Sequence, residues 1–154
     1  PYVWSNIWGG GTEDRTYRLA NAGYDVVMSH ASNFYFDMAY NKNWQEPGFY
    51  WAAMLTTEEP FSFMPYNLFG SAATTNYGNQ LSADYFEDKV RLNPEAKENI
   101  LGLQGQLWTE TVNVPGRMEY MIFPRLLGLA ERAWAGGQRL RTHPRCGRAT
   151  RSAQ

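Results

Sequence analysis

Three short apolar runs alternate with helical patterns along this chain, and that alternation constrains the fold more than any other feature. Tyr2–Asn6 opens the chain, and Asp25–His30 (DVVMSH) follows Gly23 and is β-branched. The third run is Ile100–Trp108 (ILGLQGQLW), whose Gly102 and Gly105 weaken it as a strand. Near-continuous apolar strands with helices between them suit a parallel sheet covered on both faces. Thr12-Glu13-Asp14 offers an N-cap and first-turn acids for a helix over Arg15–Ala22, and Gly23 stands where a C′ glycine would close it. Met118, Met121, Ile122, Leu126, Leu129, Ala133 and Trp134 approximate an i, i+3, i+4, i+7 stripe, stopped by Gly136-Gly137. That predicts a helix over Met118–Trp134, with a kink or a fresh start at Pro124.

The order is therefore strand, helix, strand, long segment with short helices, strand, helix. Between the second and third strands lie about 70 residues rich in Pro, Gly, Asn and aromatics, against the usual 2–6 of a βα loop. Segments that long in compact domains are usually functional, so a site is expected there. Three parallel strands cannot close a barrel, which needs eight and roughly 250 residues. Two architectures stay open: a small open α/β sheet, or the last part of a larger barrel.

Composition excludes several classes. Aromatic residues make up 16% of the 154 residues and charged residues 19%, the opposite of a disordered chain. No stretch approaches the roughly 20 apolar residues of a membrane span. The single Cys146 rules out an internal disulfide framework or a Cys-based zinc site. The net charge of −1 divides unevenly: the acids all fall within residues 1–137, whereas 138–154 carry five arginines and no acid. The Arg-rich end lacks interleaved aromatics and periodicity, so it reads as a solvated, disordered tail rather than a nucleic-acid arm. The acidic body argues against nucleic acid as a partner. The chain opens on Pro1 rather than Met, which leads us to expect a piece of a longer protein, and no leader is visible.

The residues with chemical character follow the carboxyl ends of the three strands, where ligands bind in α/β sheets and barrels. Trp4 closes the first, Tyr35 and Asp37 follow the second in Asn33-Phe34-Tyr35-Phe36-Asp37, and Trp108 and Glu110 end the third in Leu107-Trp108-Thr109-Glu110. Residues two apart in extended chain share a face, so each pair sets an aromatic ring beside a carboxylate. A sugar ring offers C–H patches that stack on aromatics and hydroxyls that seek ionised acceptors. The pairing thus points to a carbohydrate pocket; its bland counterpart is core tryptophans beside solvated loop carboxylates. Asp37 and Glu110 could also form a two-carboxylate glycosidase pair. His30 and His143 lack metal-ligand spacing, and His30 reads as a packing residue. Gly9-Gly10-Gly11 lacks the Lys-Ser/Thr of a phosphate loop and reads as a flexible loop. No G-x-S-x-G elbow is present.

These motifs together resemble the C-terminal part of the catalytic barrel of glycoside hydrolase family 20, the β-N-acetylhexosaminidases, in its bacterial chitobiase branch. The carrying segments are Tyr2-Val3-Trp4, Gly23–Ser29, Tyr35-Phe36-Asp37, Gly48-Phe49-Tyr50-Trp51, Leu107–Glu110 and Met118–Trp134. The resemblance covers about residues 1–135. It implies a (β/α)8 TIM barrel of which this chain supplies about strands 6 to 8, in a domain over 1–137, with the tail over 138–154 foreign to it.

The implied activity is retaining, substrate-assisted hydrolysis of terminal N-acetylglucosamine, with N-acetylgalactosamine a further substrate. The 2-acetamido oxygen attacks the anomeric carbon to form an oxazolinium ion. Tyr35 would donate to that oxygen, and Trp4 and Trp108 would wall the acetyl pocket. Asp37 and Glu110 would accept hydroxyls of the terminal sugar, and Trp51 would stack the next sugar unless it is a packed loop anchor. Trp8, Trp44 and Trp134 read as packing residues. No cofactor or metal is implied; the partners would be an N-acetylglucosamine-terminated oligosaccharide and the rest of the catalytic domain. The family's Asp-Glu pair, which orients the acetamido group and supplies the general acid, lies on a strand upstream of Pro1, so these residues alone are expected to be inactive. Relatives in this branch tend to be exported, but nothing within the chain gives an address. The rival readings are a non-catalytic carbohydrate-binding module and an isolated open α/β domain.

Overall fold

A computed structural model describes residues 1–4 and 6–135. The Arg-rich tail, with His143 and Cys146, lies outside the described residues. Strands β1 (Tyr2–Val3), β2 (Val26–Met28) and β3 (Ile100–Leu103) form one parallel sheet in the order β1-β2-β3. Tyr2 lies opposite Val27 and Val3 opposite Met28. On the other side Val26 faces Ile100 while Val27 faces Gly102, so Leu101 is an extra residue bulging from β3.

The regular strands are shorter than the apolar runs, yet pairing continues past them. Gln104 N–H donates to the Met28 carbonyl (2.9 Å), Gln106 N–H to Phe34 (2.8 Å), and Phe36 N–H back to Gln106 (2.7 Å). What interrupts β2 is a single helical turn, α2 (Ala31–Phe34), after which the chain rejoins β3 at Tyr35 opposite Gln106. Gly105 has a packing reason for its size: a Cβ there would lie 2.7 Å from the Phe36 ring.

Helix α1 (Arg15–Asn21) ends as the sequence predicts. Gly23 takes φ +86°, Tyr24 N–H reaches the Leu19 carbonyl (3.1 Å) and Gly23 N–H reaches Ala20 (3.0 Å), a Schellman closure. Its start differs from expectation. Glu13 and Asp14 precede the first turn, and Asp14 makes no side-chain capping bond. Glu13 turns inward instead: its Oε1 accepts the N–H groups of Gly9 (2.9 Å) and Gly11 (3.1 Å) and the Tyr85 hydroxyl (3.3 Å). The triple-glycine stretch is thus a turn closed on a buried carboxylate rather than a flexible loop. Asp14 Oδ2 accepts from Arg18 Nε (2.8 Å) and Val90 N–H (3.1 Å).

The long segment from α2 to β3 holds α3 (Glu58–Ser62) and three 3-10 turns at Leu68–Ser71, Ala83–Phe86 and Pro94–Asn99. Side chains from α1 pin it to the sheet. The Tyr17 hydroxyl donates to the Pro65 carbonyl (2.9 Å) and accepts from Leu68 N–H (2.7 Å), and Asn21 bonds both Arg91 and Asn93. The main buried cluster joins Trp8, Tyr17, Met28 and Phe34 to Phe63, Leu68, Phe69 and Phe86. Part of the aromatic richness of the long segment therefore builds core, and part stays exposed, as at Trp44, Tyr50 and Tyr77. No described helix is long and apolar enough to cross a membrane.

The expected helix over Met118–Trp134 is two helices, α4 (Pro115–Ile122) and α5 (Arg125–Trp134). Phe123 is extended before Pro124, as a residue ahead of proline prefers, and Pro124 lacks the N–H to continue α4. The buried face of α5 matches the apolar stripe only in part: Leu129 packs against two core clusters, but the fully buried residues are Arg125, Gly128 and Arg132. Both arginines donate to backbone carbonyls, Arg132 to Phe61 and Arg125 to Phe36 and Met121. Among the described residues Met118, Leu126 and Trp134 are exposed.

Candidate active site

The pairing between residues 34–36 and Gln106 fixes how the two motif loops meet, because it sets Tyr35 and Asp37 beside Trp108. The Trp4 and Trp108 rings stack, with centroids 5.7 Å apart and planes 20° apart. Tyr35 meets Trp108 edge-on at 6.1 Å and Trp51 edge-on at 5.8 Å. Four predicted site residues, drawn from all three strand ends and the long segment, therefore share one ring cluster. Trp4, Trp51 and Trp108 are 48%, 47% and 40% exposed, whereas Tyr35 is 5% exposed. Rings that are half open beside a buried hydroxyl-bearing ring are available for stacking. Trp51 is thus neither a fully packed anchor nor a free surface residue. Of the other tryptophans, Trp8 packs in the core as expected, but Trp44 and Trp134 are exposed and are not packing residues among the described residues.

Asp37 is 1% exposed, and its Oδ1 accepts the Trp108 N–H at 3.4 Å. Burial pushes its carboxyl above the ordinary range, assisted by the Glu110 charge and opposed by hydrogen bonds from its own and the Trp108 N–H and by Arg125. Burial likewise raises Tyr35, with a hydrogen bond from the Trp108 side chain opposing and the Asp37 charge reinforcing. The Tyr35 hydroxyl is accordingly a protonated donor across the ordinary pH range. Glu110 is exposed, so one carboxylate of the expected pair is enclosed and the other open at the rim. Chemically the arrangement offers a donor, stacking planes and two acidic acceptors. His30 at the end of β2 is packing: fully buried between Phe63 and Trp8, its Nε2 lies 2.9 Å from Thr16 Oγ1 and its Nδ1 has no partner among the described residues. Burial pushes its imidazole down to about 3.

Two contributors escape a reading of the motifs. Arg125, 0% exposed, donates to the carbonyl of Phe36, the residue between Tyr35 and Asp37, and lies 3.5 Å above the Tyr40 ring. An arginine on a helix pattern gives no signal of this, since its carbonyl partner is 89 residues away. Gly48 has φ +111°, and a Cβ there would stand 2.5 Å from the Asp37 carbonyl. That close approach lets Phe49 N–H donate to Asp37 (2.9 Å) and its carbonyl accept from Ala39 (2.6 Å), which ties the Trp51 segment to the site.

Among known proteins, the chain is 38% identical over 136 residues to a β-hexosaminidase of Vibrio vulnificus, covering 86% of this chain and 15% of that protein. It is 39% identical over 132 residues to an N,N′-diacetylchitobiase of Vibrio harveyi, covering 85% and 14%. In structure it is similar to the family 20 exo-β-N-acetylglucosaminidase of Vibrio harveyi solved with N-acetylglucosamine. The TM-score is 0.62 at 32% identity, covering 86% of this chain and 17% of that one. A mutant Streptomyces plicatus β-hexosaminidase in complex with its product gives a TM-score of 0.61 at 25% identity, covering 86% and 22%. The chain thus spans about one seventh of these curated relatives, and its parallel β/α arrangement is part of their TIM-barrel catalytic fold. The model of the glycosyl hydrolase family 20 catalytic domain matches residues 2–137, and the chain belongs to that family.

Proposed function

We propose that this chain is about strands 6 to 8 of a β-N-acetylhexosaminidase barrel and supplies one side of the pocket for a terminal N-acetylglucosamine. The observation that carries this reading is the ring cluster of Trp4, Trp108, Tyr35 and Trp51, with Asp37 bonded to the Trp108 backbone. The stacked Trp4–Trp108 pair walls the acetamido group, and Tyr35 donates to its oxygen. That oxygen attacks the anomeric carbon as the bond to the leaving oxygen breaks, giving an oxazolinium ion that water later opens with retention. Tyr35 favours the attacking geometry and stabilises the charge that develops. Asp37 and Glu110 accept hydroxyls of the same sugar, and Trp51 stacks the sugar that follows. The proton for the leaving oxygen comes from an acid elsewhere in the protein. N,N′-diacetylchitobiase activity in the Vibrio harveyi relative supports an N-acetylglucosamine oligosaccharide as substrate.

Tyr35→Phe in the complete enzyme tests the assignment on an aryl N-acetylglucosaminide. The expected result is a fall in kcat of about 10²–10³-fold, the effect of losing one preorganised donor. A change confined to KM overturns the role of Tyr35. Turnover by the 154-residue chain alone overturns the placement of the acid outside it.

A further inference from the structure

Tyr35 and Asp37 serve one pocket only while the chain between them stays extended, because turning either intervening peptide aims their side chains apart. The first peptide is held by its neighbours: Phe36 N–H donates to the Gln106 carbonyl (2.7 Å), and the Tyr35 carbonyl accepts Met38 N–H (3.1 Å). The second is held from helix α5, where Arg125 Nη1 donates to the Phe36 carbonyl. Helix α5 grips residue 36 twice, since Leu129, one turn beyond Arg125, packs in the same cluster as Phe36. The guanidinium is itself anchored. Its Nη1 also donates to the Met121 carbonyl (3.2 Å), and its central carbon lies 3.5 Å from the centre of the Tyr40 ring. Tyr40 in turn donates its hydroxyl to the Phe123 carbonyl (3.1 Å).

Arg125 is fully buried, yet its Nε and Nη2 have no hydrogen-bond partner among the described residues. Burying a cation so incompletely bonded is costly, and one carbonyl needs only a neutral donor. Departures of this kind from economical packing concentrate at functional sites. The Arg125 charge also bears on Asp37, opposing the effect of burial on that carboxyl. We propose that Arg125 is a positioning residue of the hydrolytic site, fixing the Phe36 peptide so that Tyr35 and Asp37 address the same sugar. The inference rests on the hexosaminidase reading above and adds to it a residue that acts from helix α5 without touching substrate.

A double-mutant cycle in the complete enzyme tests it, with kcat on an aryl N-acetylglucosaminide expressed per folded molecule from near-ultraviolet circular dichroism. Arg125→Lys keeps the charge but loses the planar fork. It is expected to lower kcat about 10-fold, as a small misplacement of a donor does. In the Tyr35→Phe background the same substitution is expected to lower kcat by less than about 2-fold, because the hydroxyl it positions is already gone. An unchanged kcat in Arg125→Lys overturns the inference, and so does an equal fall in both backgrounds, the mark of a purely structural role. If Arg125→Lys does not fold, Arg125→Gln, which keeps a neutral donor, is read by the same two criteria. Absence of turnover by the unaltered enzyme overturns the hexosaminidase reading instead, so the two failures are separate.

Discussion

Nη1 of Arg125, on α5, donates a hydrogen bond to the carbonyl of Phe36, the one residue between Tyr35 and Asp37. The same nitrogen reaches the Met121 carbonyl on α4 at 3.2 Å, so one buried cation ties the two C-terminal helices to the loop after β2. Neither Nε nor Nη2 has a hydrogen-bond partner among the described residues, and the guanidinium lies over the Tyr40 ring. Burial accordingly holds Arg125 below its ordinary value.

Arg125→Met leaves the Phe36 carbonyl without this donor and is expected to destabilise the protein by about 2–3 kcal/mol. Arg125→Lys recovers less than half of that, because an ammonium cannot span two carbonyls while lying flat on a ring. Chemical denaturation of the complete protein measures both. A Lys variant as stable as the wild type would show that guanidinium geometry contributes nothing.

Asp37 carries a stability dependence opposite to that of most carboxylates. Its folded-state value is raised above 3.8, so its contribution is fully present below the ordinary carboxylate range and is lost as the pH rises through the raised value. At neutral pH the ionised, enclosed group therefore opposes folding. Asp37→Asn is expected to gain thermal stability relative to the wild type as the pH rises from about 4 to about 7, while losing affinity for sugar. Melting temperatures of the two proteins across that range provide the check, and a constant difference would refute it.

His30 acts in the other direction. Its imidazole is depressed from 6.5 to about 3 by burial, so its stabilising contribution is full above about 6.5 and falls away as the pH drops toward about 3. His30→Gln keeps an uncharged polar side chain near Thr16 and removes the proton uptake. The urea midpoint of the wild type should approach that of the variant on going from about pH 7 to about pH 4. Parallel curves would mean that His30 does not titrate between the folded and unfolded states.

Much of this molecule is legible in its sequence because its determinants are local. Apolar, β-branched runs mark where β1, β2 and β3 lie, since burial on both faces demands them. Gly23 marks the end of α1, since only a residue tolerant of positive φ closes that helix so tightly. Trp4, Tyr35, Asp37, Trp108 and Glu110 are legible as an aromatic and acidic set at strand ends, and the family resemblance joins Trp51 to them. Tertiary structure alone decided the rest. Glu13 reads as a first-turn acid, yet the Gly9–Gly11 turn and Tyr85 draw it inside. The apolar stripe of α5 reads as its buried face, yet Arg125 and Arg132 occupy that face because carbonyls of Phe36 and Phe61 await donors there. The meeting of Tyr35 with Trp108 depends on pairing between segments about 70 residues apart. Local propensity specifies which residues can build a strand end or a helix cap; only long-range hydrogen bonds specify which strand ends face one another, and the candidate pocket exists in that second kind of information.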